Sequence, residues 1–225
     1  MEAAEQALQS LLTDHRFLVA WAVAVAVALG ALARDLARRN RGIAPLMRAV
    51  WILTVLYSGP VGLWVYWVSG RRQIRTDSIW RRGARSTAHC YSGCGAGEIA
   101  GITIAAGLLA LGNLGTALIT FALAYAFGFA MTVGPLVQEG VAIGRAMWDA
   151  FASETASITV MEVVAIGVDL WLAGGAGMSS PLFWSSLVVS LTAGLAAAYP
   201  VNVALIGLGV KEGMHDPRET GGHAR

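Results

Sequence analysis

Two cysteines, a histidine and a glutamate share one short stretch, His89-Cys90-Tyr91-Ser92-Gly93-Cys94-Gly95-Ala96-Gly97-Glu98. On a helix each residue turns by about 100°. Cys90, Cys94 and Glu98 then form one i, i+4, i+8 row, with His89, Gly93, Gly97 and Gly101 in the row beside it. Thiolates and an imidazole are soft to borderline ligands that suit Cu(I), Zn(II) or iron. His89 and Cys90 point apart on an ideal helix, so they share an ion only if the helix frays or the ion sits between helices. The spacing also differs from the commoner Cys-x-x-Cys of metal motifs. Packing is the competing reading: free cysteine is often a small buried residue. A Gly93-Gly97-Gly101 row is a device for close helix contact, to a neighbouring helix or to a second copy in a homo-oligomer.

A second set of polar groups lies further along. Glu162 sits near the middle of an apolar segment, and Glu154, Met161, Ala165 and Asp169 fall on the same helical face. A charged side chain in hydrocarbon costs about 2.5–3.5 kcal/mol on insertion scales, so such residues face a bundle interior or a wet cavity. They mark an ion site, a proton path or a buried pair. The plain alternative is structural glue, a carboxyl group hydrogen-bonded to a residue such as Ser157 or Thr159. Asn202 follows Pro200 by two residues and offers both a donor and an acceptor to an ion or to a broken backbone. His15, His215 and His223 lie in polar termini. No phosphate loop, dinucleotide fingerprint or nucleophile–base constellation is present.

These groups need a scaffold, and composition names its class. Of 225 residues, 56% are hydrophobic and 13% charged, against about 25% charged in a soluble domain; the mean hydropathy is +0.60. The chain reads as an integral membrane protein. The net charge of +2 says little about partners, but fifteen of the sixteen basic residues are Arg and only Lys211 is Lys. Six Arg crowd Arg71 to Arg85 and four lie between Arg34 and Arg41. At a lipid headgroup surface such clusters are topology signals, and they call for no nucleic acid. Two cysteines do not make a disulfide framework.

The expected fold is all-α, a polytopic transmembrane bundle of about six spans: 17–33, 50–69, 96–111, 115–137, 156–174 and 182–210. The 50–69 span holds Ser58-Gly59-Pro60 and is kinked at Pro60; the last is broken near Pro200. The 96–111 span is long enough only if it begins near His89, which places the motif at the membrane boundary. Residues 138–153 read as an interfacial helix running into the fifth span. The acidic flank before 17–33 is unlike the basic leader of a signal peptide, so that segment is expected to stay. With both termini inside, 71–85 is cytosolic. A re-entrant 50–69 segment is the alternative; it puts both Arg clusters on one side and the amino terminus on the other. The division follows as an extra first helix with a basic loop (1–43), a kinked helix with an Arg-rich loop (44–88), a four-helix core (89–214) and a polar tail (215–225).

Four motifs also resemble those of an uncharacterised bacterial membrane-protein family that shares a domain of unknown function. They are Trp51 to Pro60 with Thr54 and Tyr57, Ala88 to Ile99 around His89, Cys90, Cys94 and Glu98, Glu154 to Glu162 with Ser157, and Tyr199-Pro200-Val201-Asn202 with Lys211-Glu212. The resemblance covers Trp51 to Met214. It implies that His89, Cys90, Cys94, Glu98, Glu154, Ser157, Glu162 and Asn202 belong together, and a copper label on some members implies a soft metal. Ala88 stands where the pattern has Thr, and Met161 where an aromatic is common, which adds a soft ligand beside Glu162.

The expected function is binding or transport of a soft transition-metal ion, copper favoured, by a multi-pass protein of the bacterial inner membrane. His89, Cys90, Cys94, Glu98, Met161 and Glu162 are the candidate ligands. Glu154, Ser157, Glu162 and Asn202 are the candidate proton or ion path. A membrane thiol oxidoreductase using Cys90 and Cys94, or a non-catalytic assembly subunit, are the alternatives.

Overall fold

The computed structural model describes residues 2–219; His223 and the end of the expected tail lie outside them. Among the described residues there are eight α-helices and no strand: α1 (Glu2–Thr13), α2 (His15–Arg38), α3 (Pro45–Ser58), α4 (Pro60–Val65), α5 (Ile79–Ile102), α6 (Asn113–Gln138), α7 (Ile143–Ala173) and α8 (Pro181–Gly207). Wider π-type turns extend α4 over Tyr66–Gly70 and α5 over Thr103–Leu108. Four helices, α2, α6, α7 and α8, are long and apolar enough to cross a membrane. The chain is a membrane protein.

α5 is the axis of the bundle. Sixteen of its 24 residues are buried, and it packs on α3, α6, α7 and α8. This explains its composition. A helix wrapped by protein can carry Ser, Thr, His and Glu inside and needs small residues where neighbours approach. A Cβ on Gly97 would lie 2.4 Å from the Leu123 carbonyl oxygen, and one on Gly101 would lie 2.6 Å from the Thr120 Cα. The glycine row is therefore filled by α6 of the same chain, and a homo-oligomer would have to use another face. α5 also starts far earlier than the apolar run from Ala96, capped by the Ser78 hydroxyl, which accepts from the Arg81 N–H. The His89–Glu98 motif consequently lies well inside the helix rather than at its mouth.

The 50–69 segment is not one straight helix. Gly59 adopts φ +56°, a conformation glycine takes without Cβ strain, and Pro60 opens α4 at its first position, where a missing N–H costs nothing. The chain doubles back as a helical hairpin. The Trp51 and Tyr66 rings meet edge-on at 5.3 Å, and Gly70 sits against the Trp51 ring. Both hairpin ends thus lie at the same end of the bundle. A buried cluster fixes them there: Asp35 of α2 accepts from the Tyr66 hydroxyl at 2.8 Å, Asn40 Nδ2 at 2.6 Å, and Arg71 Nε and Nη2 at 3.1 and 2.9 Å. Arg71 also lies 4.5 Å over the Trp67 ring. Both Arg clusters therefore share one end of the bundle. α1 lies at the opposite end, where Gln9 Nε2 donates to the Leu172 carbonyl at 2.9 Å.

Two further expectations change. α8 runs through Pro200 to Gly207 without interruption, so the expected break at Tyr199–Asn202 is not made; Asn202 packs inside a continuous helix. The 143–153 stretch is the first part of α7 itself, one helix of 31 residues.

Candidate functional site

α7 runs parallel to α5 and antiparallel to α8, so its polar stripe meets polar groups of both. Starting at the Arg-rich end, Glu154 Oε2 accepts from Lys211 Nζ at 2.6 Å, and Lys211 Nζ also donates to Asn202 Oδ1 at 2.9 Å. Asn202 Nδ2 donates to Ser157 Oγ at 2.8 Å, and the Ser157 hydroxyl points at Cys90 Sγ, 3.8 Å away. Cys90 Sγ and Cys94 Sγ lie 3.9 Å apart. Glu162 faces both thiols, yet neither of its carboxylate oxygens has a hydrogen-bond partner. One turn beyond Cys94 on α5, Glu98 lines a cavity of 390 Å³ together with Thr120 and Asp169. Asp169 accepts from the Ser186 hydroxyl of α8 at 2.6 Å.

The result is a file of buried polar side chains through the bundle. From Glu154 to Asp169, fifteen positions further along α7, it extends about 22 Å at 1.5 Å per residue. Glu154, Ser157, Cys90, Cys94, Glu162, Glu98 and Asn202 are each no more than 2% exposed. The file opens at the Asp169 end, where Asn113, Gly174 and Met178 rim the cavity. It is closed at the other end by Lys211, whose side chain is 6% exposed.

The expected path residues, Glu154, Ser157, Glu162 and Asn202, are thus brought together. The six expected ligands do not converge on one point. His89 faces the Met131 backbone of α6 and Lys211 rather than the thiols. The Met161 Cγ lies against Gly194 of α8. Among the described residues no group of three or more His, Cys, Asp or Glu side chains is arranged to hold a metal ion. What α5 offers is a pair of sulfurs. Two ligands at about 2.3 Å from a shared ion are about 3.8–4.6 Å apart, from tetrahedral to linear, and the observed 3.9 Å falls within that range. Both thiols are free.

Three participants lie outside the candidate site residues drawn from the sequence. Lys211 enters from beyond the end of α8. Arg85 is 1% exposed and clasps Asp77 through Nη2 at 3.0 and 2.9 Å, the Ser69 carbonyl at 3.0 Å and the Met214 carbonyl at 3.1 Å. It is an internal strut, not a headgroup anchor. Thr132 of α6 donates to the second Glu154 oxygen at 3.3 Å. A signal did exist: Asp35 and Asp77 are acids set inside or beside Arg clusters, and Lys211 is the sole Lys in an Arg-rich chain.

No curated protein and no solved structure matches this chain. One family does, over residues 79–211, from the start of α5 to Lys211. That span holds every member of the polar file, and leaves out α1, α2 and the hairpin. The chain belongs to the family described as a domain of unknown function, DUF4396.

Proposed function

We propose that this protein carries a soft monovalent metal ion, Cu(I) favoured, across the bacterial inner membrane. The ion's station is the Cys90/Cys94 pair, and the His-Cys-x-x-Gly-Cys-x-x-Gly-Glu motif with the Tyr-Pro-x-Asn segment is the family's working core. The observation that carries this reading is the 3.9 Å sulfur pair in the middle of the buried polar file. Of the soft ions that thiolates bind, structural zinc takes four ligands, more than the two sulfurs supply, which favours Cu(I). Thiols must lose their protons to bind a metal. Glu162, facing both sulfurs with no other partner, is placed to take one of them. Glu98 and Asp169 line the open cavity at the end opposite Lys211 and hold a cation near the thiols. A charged group inside a membrane marks an ion pathway or a buried pair, and Glu154 is already paired; Glu162 and Glu98 are the acids left for transport.

Proteoliposomes containing the purified protein should take up Cu(I) faster than empty vesicles, as read by an impermeant chelator inside. Replacing both cysteines by Ser should abolish the difference, because a hydroxyl is a hard ligand. Glu162→Gln, which keeps shape and hydrogen bonding, should slow uptake. Equal uptake by wild type and the double Ser variant contradicts the proposal.

A further inference from the structure

The end of the file nearest the Arg clusters is closed in an unusual way. Past α8 the chain turns back as a strap, 208–219, across that end. Gly209 and Gly213 both adopt positive φ, +72° and +80°, and bracket Lys211 two residues to either side. Lys211 is thus carried on a short hinged segment rather than on a packed helix. The Val210 and Lys211 N–H groups both donate to the Leu205 carbonyl at the end of α8, at 3.0 and 3.2 Å; beyond Lys211 the Met214 N–H donates to Ser86 Oγ at 3.0 Å, Arg85 donates to the Met214 carbonyl, and Arg218 Nη1 donates to the Arg75 carbonyl at 3.1 Å. From this segment the ammonium reaches inward to Glu154 Oε2 and Asn202 Oδ1.

The receiving corner has the make-up of a cation site. It supplies one carboxylate from α7 and one amide oxygen from α8, with the Ser157 hydroxyl behind, and all three residues are at most 2% exposed. An ammonium is a compact point charge with rotatable donors, unlike the flat guanidinium the chain uses elsewhere. Glu212 and Glu219 of the strap line a cavity of 440 Å³ with Asp77, Asp216, Arg82 and His215, an acidic recess at that end of the bundle.

We propose that Glu154, Asn202 and Ser157 form a binding site for a small monovalent cation, and that Lys211 occupies it as a tethered stand-in, plugging the file until a free cation displaces it. This rests on reading the file as a cation path. The site is the exit or entry step at the Arg-rich end, one station away from the thiols, and the strap is its door.

The test uses ammonium as the free cation and choline, too bulky for the corner, as the control at equal ionic strength. In the wild-type chain in detergent, hydrogen exchange at the Lys211 and Met214 amides should be several-fold faster in ammonium than in choline. Equal rates in the two salts overturn the proposal, and this reading needs no variant to fold. In Lys211→Ala the corner is vacated. Ammonium should then raise its unfolding midpoint by about 4 °C at ten times the dissociation constant, with no rise in Lys211→Ala/Glu154→Gln. A Lys211→Ala protein that does not respond also overturns it. Neither measurement involves the thiols. A chain that takes up no Cu(I) yet responds to ammonium sinks the soft-ion reading and leaves the plug standing; the reverse outcome sinks only the plug.

Discussion

The Ser157 hydroxyl of α7 points at the Cys90 thiol of α5 across 3.8 Å, and this contact joins two halves of the bundle's interior. On one side of it lies an ion pair already satisfied, Lys211 with Glu154 and Asn202. On the other lie the thiol pair and two carboxylates, Glu162 and Glu98, that keep oxygens without an N–H or O–H partner. Buried polar groups normally find partners, so the unsatisfied half is where a cation has something to gain.

Lys211 and Glu154 are 6% and 3% exposed. Removing one partner of such a pair strands a buried charge and costs about 3–5 kcal/mol. Lys211→Ala alone is therefore expected to destabilise strongly, and adding Glu154→Gln to restore much of the loss. A double-mutant cycle on unfolding midpoints checks it; additive effects would mean the pair is not coupled.

Gly97→Ala places a methyl 2.4 Å from the Leu123 oxygen and 2.6 Å from the Ala124 Cα. Backbone cannot yield as a side chain can, and overpacking of this kind costs about 1–3 kcal/mol. Gly30→Ala on α2, where nothing lies within 4 Å, is the matched control and should be neutral. Thermal unfolding of the two variants reads the difference.

The hairpin sets the topology. Cysteine introduced at Arg39 and at Arg72, each in a Cys-free background, should be labelled from the same face of the membrane by an impermeant reagent. Cysteine at Gly175 should be labelled from the other. Opposite labelling of positions 39 and 72 would mean that 50–69 crosses.

Arg218 hydrogen-bonds the Asp216 carboxylate at 2.5–3.0 Å and holds its pKa below the usual 3.8. A carboxyl depressed in the folded state adds stability that is present above its ordinary pKa and lost as pH falls through the lowered value. Proteolysis of the strap should accelerate in that acid window, and Asp216→Asn should show the faster cleavage already at pH 7. A flat profile in both proteins would mean this pair does not hold the strap.

The sequence was legible where lipid does the burying. α2, α6, α7 and α8 are apolar runs, and a periodicity of 3.6 placed Cys90, Cys94 and Glu98 on one face and Glu154 and Glu162 on another. It misled where protein does the burying. The first three quarters of α5, from Ile79 to Ala96, read as polar because their surroundings are helices, not lipid, so composition alone starts the helix too late. The Gly59-Pro60 bend was visible, but whether the chain continued or returned was decided by Asp35 meeting Tyr66 and Arg71, over 30 residues away in sequence. Lys211 stayed hidden for the same reason: its partner Glu154 is 57 residues distant.

In the proposed function, two sulfurs of α5 hold the ion. X-ray absorption of the purified protein loaded with Cu(I) measures this directly. Two sulfur neighbours at one copper per chain are expected in wild type, and neither sulfur nor copper retained in Cys90→Ser/Cys94→Ser. A copper content unchanged by the double substitution, or a metal surrounded by oxygen and nitrogen alone, would contradict it.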